Sequence, residues 1–269
     1  DLHSFPTRRS SALFIFVVAA LCAGLSPYDP DRMALGARTL PPDAAHWFGT
    51  DEYGRDYFTR ALYGGQISLM VGFLAMLFST LIGTVVGTVS GYFGGWLDNL
   101  MMRAVDILMA IPAFFLLLVV NAYLKPGVDN IILIISLLTW MNMSRLVRAE
   151  TLSVKEREYV LYARASGEHP LRIIVRHIIP GVLPTIIVAA TLNIASAILM
   201  ESTLSFLGLG VQAPAASWGS MLNNAQSYIG EASWLAMFPG ILILLTVFSF
   251  NVLGDVFRTA FEPGANRDE

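Results

Sequence analysis

Residues 67–92 read ISLMVGFLAMLFSTLIGTVVGTVSGY, a run of 26 residues that contains no charged side chain. A helix needs about 20 mainly apolar residues to cross the hydrocarbon core of a bilayer, so this run is long enough to span it. Within the run, Gly83, Gly87 and Gly91 recur at every fourth position. Small residues at this spacing let a second helix approach closely, and we interpret them as helix-packing positions rather than as a binding site.

The composition of the whole chain points to a membrane protein. Charged residues make up 14% of the 269 residues, whereas a soluble domain carries about 25%. Hydrophobic residues make up 55%, the mean hydropathy is +0.61, and the length allows about six helical spans. The sequence therefore predicts an all-α polytopic membrane protein. The net charge of -3 does not indicate nucleic-acid binding. Cys22 is the single cysteine, which excludes an internal disulfide framework and argues against a cysteine-rich metal site. The histidines lack the spacing of metal ligands, which also argues against a metal site.

The order of apolar and polar segments gives the expected organisation. The first apolar run, 12–25, is short, and we favour a transmembrane span over the core of a signal peptide. Residues 26–66 predict an extracytoplasmic loop with an interfacial helix, capped by Thr50 or Asp51, that carries Tyr57, Phe58, Leu62 and Tyr63. A transmembrane domain over 67–263 then contains five further predicted spans, at 67–92, 105–123, 131–143, 184–209 and 234–253.

Basic residues give the expected orientation. Residues 144–183 hold seven Lys or Arg, whereas residues 210–233 hold none. Cytoplasmic loops carry the excess of Lys and Arg, so 144–183 is predicted to be cytoplasmic. With six spans, both termini are then cytoplasmic. The seven basic residues of 144–183 are Arg145, Arg148, Lys155, Arg157, Arg164, Arg172 and Arg176.

No motif for nucleotide binding or hydrolysis is found in the sequence. The only lysines are Lys125 and Lys155, and neither follows a glycine as the phosphate-binding GxxxxGK[ST] motif requires. The chain also lacks GxSxG and HExxH, and no histidine falls in a predicted span. We therefore expect a protein without a catalytic site of its own.

The loop sequence EREYVLYARASGEHPLRIIVRHIIPGVLP, residues 156–184, predicts two short helices. The first runs from about Val154 to Ala165 and stops at Gly167, because glycine tolerates a left-handed helix end. Pro170 opens the second, which Pro180 ends. Leu171, Ile174, Val175 and Ile178 recur at helical spacing and form one apolar face. From periodicity alone, this face suits the membrane surface or a protein partner equally well.

The same loop resembles the EAA loop of binding-protein-dependent ABC permeases, with matches at Ala163, Gly167 and Pro180. Leu161 stands where the family has a glutamate, so one expected ion pair with the ATPase is in question. Tyr162, His177 and Ile179 also depart from the pattern. Three further segments resemble the second permease subunit of dipeptide, oligopeptide and nickel importers: HWFGTDEYGRDYFTRALYGGQISLMVG (46–72), LMESTLSFLGLGVQAPAASWGSML (199–222) and NVLGDVFRTAFEP (251–263).

The resemblance implies a transport subunit in a bacterial inner membrane that translocates dipeptides, oligopeptides or similar solutes. Its implied partners are a second homologous permease, two ATP-binding cassette subunits and an extracytoplasmic solute-binding protein. ATP and Mg would be bound by the ATPase subunits, with no cofactor on this chain. Glutathione and nickel complexes remain open as cargo. The implied ATPase-docking residues are Ala163, Ser166, Gly167, Glu168, His169, Pro170, Arg172, Arg176 and Pro180.

Two acidic residues lie inside predicted spans, Asp106 and Glu201. Such residues cost roughly 2.5 to 3.5 kcal/mol at a helix centre on insertion scales, so they usually face a bundle interior or a water-filled path. Both are candidates for the translocation pathway or gate. A structural hydrogen bond is an equal alternative for Glu201, and an interfacial ion pair near Arg103 is favoured for Asp106. An ion-gradient-driven secondary transporter that uses these acids is the alternative function.

Overall fold

The computed structural model describes residues 23–112, 115–116, 119–120, 123 and 127–261. In this part of the chain the regular structure is helical, and the only β pairing is an isolated bridge between Thr50 and Asp56. The helices, in chain order, are α1 (Tyr57–Phe93), α2 (Gly95–Ala110), α3 (Val128–Val154), α4 (Glu158–Ala165), α5 (Pro170–Ile173), α6 (Ile179–Phe206), α7 (Trp218–Ala225) and α8 (Trp234–Phe261). A π turn, Ile174–Ile178, joins α5 to α6.

Four helical segments among the described residues are long and apolar enough to cross a membrane: Tyr57–Phe93, Val128–Val154, Pro170–Phe206 and Trp234–Phe261. They contain the predicted spans at 67–92, 131–143 and 234–253, and the predicted span at 184–209 as far as Phe206, where the helix ends. The predicted span at 12–25 lies almost wholly outside the described residues, and so does much of the predicted span at 105–123 beyond Pro112. The count of six spans stays a prediction.

The predicted separation of an interfacial helix from the second span is wrong. Helix α1 runs without interruption from Tyr57, so residues 57–63 form its first turns. Its cap is also not Thr50 or Asp51. Asp56, immediately before the helix, accepts hydrogen bonds at Oδ2 from the backbone N of Thr59 at 2.7 Å and from Thr59 Oγ1 at 2.6 Å. A carboxylate in this position satisfies N–H groups that have no partner within the helix.

The prediction that Pro180 ends the loop helix is also wrong. The helical segment continues through Pro180 and Pro184 to Phe206. Proline normally interrupts a helix because it lacks an N–H and its ring meets the carbonyl one turn earlier. Here the residues before Pro180 form the π turn, in which the N–H of Ile179 bonds to the carbonyl of Ile174. The wider turn accommodates the ring, as π bulges do elsewhere inside α-helices.

The chain divides into two compact units. Of the described residues, the first unit comprises 23–74, 127–132 and 194–252. Its core is formed by the start of α1, helix α7 and the start of α8, and it includes Tyr57, Trp218, Met221 and Leu235. The Tyr57 hydroxyl donates to the carbonyl of Leu235 at 2.6 Å, which fixes the starts of α1 and α8 to each other.

Of the described residues, the second unit comprises 133–193, 253–261 and those between 75 and 123. In this unit, α1 packs closely against α3 along its glycine stripe. A Cβ added to Gly83 would lie 2.6 Å from Met143 Cβ, and one added to Gly91 would lie 2.8 Å from Thr151 Cβ. At Gly87 the obstacle is backbone, because an added Cβ would lie 2.6 Å from the carbonyl oxygen of Ser144. Only glycine permits this approach at Gly87.

Candidate functional site

The turn at Gly167 closes helix α4 and positions α5. Gly167 has φ +77°, a left-handed conformation that side chains with a Cβ rarely adopt. Its N–H donates to the carbonyl of Arg164 at 3.1 Å, and the N–H of Glu168 donates to that of Ala163 at 3.2 Å. This pair of bonds is the Schellman motif, which satisfies the last carbonyls of a helix. The turn therefore has a defined geometry that depends on glycine.

The start of the next helix is also well defined. His169 precedes α5 as its cap, and its Nδ1 accepts a hydrogen bond from the backbone N of Leu171 at 3.4 Å. Pro170 is the first helical residue, where its missing N–H costs nothing. The side chain of Glu168 lies 3.1 Å from His177 Nε2 and 3.9 Å from Arg172 Nε. These contacts hold the turn against the helix that follows it.

The predicted apolar face of the second loop helix is only half right. Ile174 and Ile178 are buried, but Leu171 and Val175 are 60% and 64% exposed, and Ile173 is buried instead. The reason is the π turn, which breaks the constant 100° advance per residue that the periodicity assumed. Ile173 and Ile178 join Val160 and Ala163 of α4 in the core of the second unit.

The exposed side of the loop carries apolar and basic groups together. We call it the loop surface, and it consists of Tyr162, Leu171, Arg172, Val175 and Arg176. Tyr162 is 76% exposed, and both arginines are exposed. Of the other predicted docking residues, Ser166, His169 and Pro180 are exposed, Glu168 and Pro170 are half-buried, and Ala163 is buried. Ala163 therefore supports the loop from inside.

An ion pair that sequence analysis missed fixes the start of α2. Arg148 of α3 donates from Nε and Nη2 to the two carboxylate oxygens of Asp98, both at 2.6 Å. Ser90 also donates to Asp98. Hydrogen bonds from the Arg148 guanidinium lower the pKa of the Asp98 carboxyl, so the pair persists well below neutral pH. The only sign of this ion pair in the sequence analysis was Arg148, which was counted among the basic residues of 144–183 without a partner being predicted for it.

Asp106 is paired with Arg145 of α3. The sequence analysis favoured an ion pair for Asp106 but placed it near Arg103. Both side chains of the observed pair are 46% exposed. An ion pair with this exposure contributes little to stability.

Glu201 lies in a buried cluster of hydroxyl groups in the first unit and is itself fully buried. Ser68 of α1 donates to Glu201 Oε2 at 2.9 Å, and Ser205 donates to Oε1 at 2.7 Å. The backbone N of Trp218 in turn donates to Ser68 Oγ at 3.3 Å. The carboxyl thus joins α6 to α1 and to the start of α7. These bonds agree with the structural alternative for Glu201, while its role in a pathway or gate stays a prediction.

The loop after α6 closes over this cluster. Gly208 has φ +77°. Its N–H donates to the carbonyl of Ser205 at 3.0 Å, and the N–H of Leu209 donates to that of Leu204 at 2.9 Å. The chain then turns back, so that the backbone N of Val211 donates to Ser205 Oγ at 3.0 Å. Ser205 therefore donates to Glu201 and accepts from the loop.

The known proteins that this chain resembles are membrane components of transport systems. Residues 80–267 match the family model described as binding-protein-dependent transport system inner membrane component. The dipeptide transport system permease protein DppC of Bacillus subtilis is 44% identical over 95% of this chain and 80% of its own length. The probable D,D-dipeptide transport system permease protein DdpC of Escherichia coli is 42% identical over 98% of this chain and 90% of its own length.

Two further comparisons concern cargo and fold. The glutathione transport system permease protein GsiD of Shigella flexneri is 41% identical over 97% of this chain and 86% of its own length. A chain of the inward-facing MetNI methionine ABC transporter superposes with a TM-score of 0.63 at 20% identity, covering 74% of this chain and 95% of that one. At this identity the structural match speaks for the fold alone.

Proposed function

This chain belongs to the family of binding-protein-dependent transport system inner membrane components, and from that premise we propose that it imports dipeptides or other short peptides across the bacterial inner membrane. Proteins of this family are permease subunits of ABC importers, so the chain is a transport component rather than an enzyme. The comparisons give no support to a secondary transporter driven by an ion gradient. Support for peptide cargo comes from the names of the relatives at 42% and 44% identity.

The proposed complex contains this chain, a second homologous permease, two ATP-binding cassette subunits and an extracytoplasmic solute-binding protein. ATP and Mg are bound on the ATPase subunits. The loop surface carries this proposal, because it presents Tyr162, Leu171 and Val175 to solvent beside two arginines. Exposed apolar groups ringed by charge are typical of protein interaction sites. In this arrangement, ATPase closure moves the loop and, through it, the spans of the permease.

Replacing Gly167 by valine is expected to uncouple the complex while leaving membrane insertion intact. An added Cβ meets nothing within 4 Å, so the cost comes from the positive φ alone. A β-branched residue in the left-handed region costs about 1–2 kcal/mol, and the backbone relieves this cost by re-aiming α5. The measurement is ATPase retention on purification, together with hydrolysis stimulated by the binding protein.

Ala165→Val is the matched control for this substitution. Ala165 is exposed, lies two residues before Gly167 and is not among the proposed docking residues, and its position inside helix α4 gives it a helical backbone that valine can adopt. It should behave as the wild type. If Gly167→Val also retains its ATPase and its stimulated hydrolysis, the loop is not the coupling element, and docking of the loop on the membrane surface takes its place.

The proposed topology puts residues 144–183 and both termini in the cytoplasm and residues 26–66 and 210–233 outside. In a Cys22→Ser background, Ser166→Cys should react with a membrane-impermeant maleimide only after cells are opened. Ser227→Cys should react in intact cells. Both serines are exposed, whereas Ser217 in the same outer loop is buried and would give no signal. Reversed labelling would contradict the topology and the docking proposal with it.

A further inference from the structure

A cavity of about 460 Å³ lies in the first unit, between the segment before α1 and the loop that follows α6. Ligand sites for small molecules have volumes of about 300–1,000 Å³, so the cavity is large enough for a dipeptide. Apolar and amide side chains contribute to its lining, among them Met33, Val211, Gln212, Pro214 and Asn223. In the proposed topology this cavity opens outside the membrane.

Two opposite charges also line the cavity, Asp31 and Arg60. Arg60 Nη1 lies 3.2 Å from Asp31 Oδ1 and donates to the carbonyl of Pro30 at 3.0 Å. The Arg60 side chain is 5% exposed, whereas that of Asp31 is 57% exposed. The arginine is therefore fixed in place, and the aspartate is accessible to a ligand.

The same two residues line a second cavity of about 240 Å³, which extends along Tyr63, Gln66 and Ile67 of α1. Asp31 and Arg60 thus stand at the boundary of both cavities. A ligand that separated their side chains would contact both spaces at once.

The neighbouring charges are engaged with each other or with Arg60, so Asp31 is the accessible charge of the pair. Arg55, which also lines the larger cavity, is engaged by Asp51 Oδ2 at 2.6 Å and lies 3.6 Å from Glu52 Oε1. The Asp51 carboxylate is 3.6 Å from Arg60 Nε and buried, so it offers nothing to a ligand. The amides of Gln212 and Asn223 donate to the carbonyls of Gly208 and Phe206. The side-chain carbonyl oxygens of Gln212 and Asn223 are still able to accept a hydrogen bond from a ligand.

We propose that the larger cavity is a subsite for a short peptide with free termini, in which Asp31 binds the α-ammonium group and Arg60 binds the α-carboxylate. This inference rests on the proposed function and adds a contact with cargo on the permease itself. The ligand replaces the Asp31–Arg60 contact with two contacts of the same charge type. The apolar lining tolerates different side chains, while the two charges select for unblocked ends.

Saturation-transfer NMR on the full complex in nanodiscs, without the binding protein, tests the subsite. The probes are dialanine, N-acetyl-dialanine and dialanine amide. In the wild type, dialanine should bind more tightly than either blocked form by about threefold or more, the size that one partly exposed charge contact provides. In Asp31→Asn, the affinity for dialanine should fall to the affinity that the wild type has for N-acetyl-dialanine.

Two control variants separate binding from structural damage. Asp31→Glu keeps the carboxylate and should restore the preference for a free amino terminus. Asp29→Asn removes an exposed charge two residues away that does not line either cavity, and it should behave as the wild type. Equal affinity for free and blocked peptides, or an unchanged preference in Asp31→Asn, would overturn the subsite.

Uptake distinguishes failure of the subsite from failure of the proposed function. With the binding protein and ATP present, the wild-type complex should import dialanine into proteoliposomes. Absence of import would contradict peptide cargo, whatever the NMR shows. Import without any preference for free termini in the NMR would leave the proposed function standing and remove the subsite.

Discussion

Gly87→Leu is expected to abolish assembly of the transport complex. The close approach of α1 to α3 leaves no space at this position, because an added Cβ would lie 2.6 Å from the carbonyl oxygen of Ser144 and 2.9 Å from the backbone N of Arg148. Backbone atoms cannot rotate away as a side chain can, so the two helices must separate. Overpacking of this kind costs about 1–3 kcal/mol, and a leucine against backbone belongs at or above the upper end.

Co-purification with the partner subunits and the thermal stability of the purified chain in detergent both measure this effect. Gly240→Leu is the matched control, since Gly240 also lies within a spanning helix but an added Cβ there meets nothing within 4 Å. We expect Gly240→Leu to assemble. Normal assembly of Gly87→Leu would show that α1 and α3 do not pack as described.

Glu201→Ala is expected to lower thermal stability and transport, although the chain still inserts. The substitution removes the acceptor that Ser68 and Ser205 share. A buried hydroxyl left without a partner costs about 1–3 kcal/mol, less where it rebonds to a carbonyl of its own helix. Because the same two serines accept from the backbone N of Trp218 and of Val211, the loop after α6 should loosen as well.

Two control variants separate the effect of losing the volume of the Glu201 side chain from the effect of losing its hydrogen bonds. Glu201→Gln keeps a carbonyl oxygen and the same volume, and it should retain most of the stability. Ser68→Ala removes one donor and should lose less than Glu201→Ala. Uptake per assembled complex is the second readout. If Glu201→Ala is as stable as the wild type but transports at a different rate, the carboxyl acts in the pathway and not as a structural acceptor.

The sequence predicted the features that depend on neighbouring residues. The apolar run at 67–92 predicted a spanning helix, and the structure has α1 there. The spacing of Gly83, Gly87 and Gly91 predicted a close approach, and α3 lies against that stripe. Gly167 was predicted to end a helix, and it has a positive φ after α4. In each case the cause lies within one or two turns of the chain, so a local pattern contains it.

The features that the sequence did not predict depend on distant contacts or on unusual geometry. Asp98 meets Arg148 across 50 positions, and Ser68 meets Glu201 across 133. No local pattern encodes such pairings, because they follow from how the helices pack. The failure at Pro180 has another origin. A proline is expected to end a helix, and only the π turn before it allows the helix to continue.

The π turn between α5 and α6 has a consequence for protein engineering. It takes up one residue more than an α turn, so it rotates α5 about the helix axis relative to the position that a continuous α-helix would give it. Leu171 and Val175 are therefore exposed while Ile178 and Val182 lie in the core of the second unit. A loop of this kind grafted onto another permease must be transferred with Ile174–Ile178 intact, or the exposed side chains that we propose for docking will point in another direction.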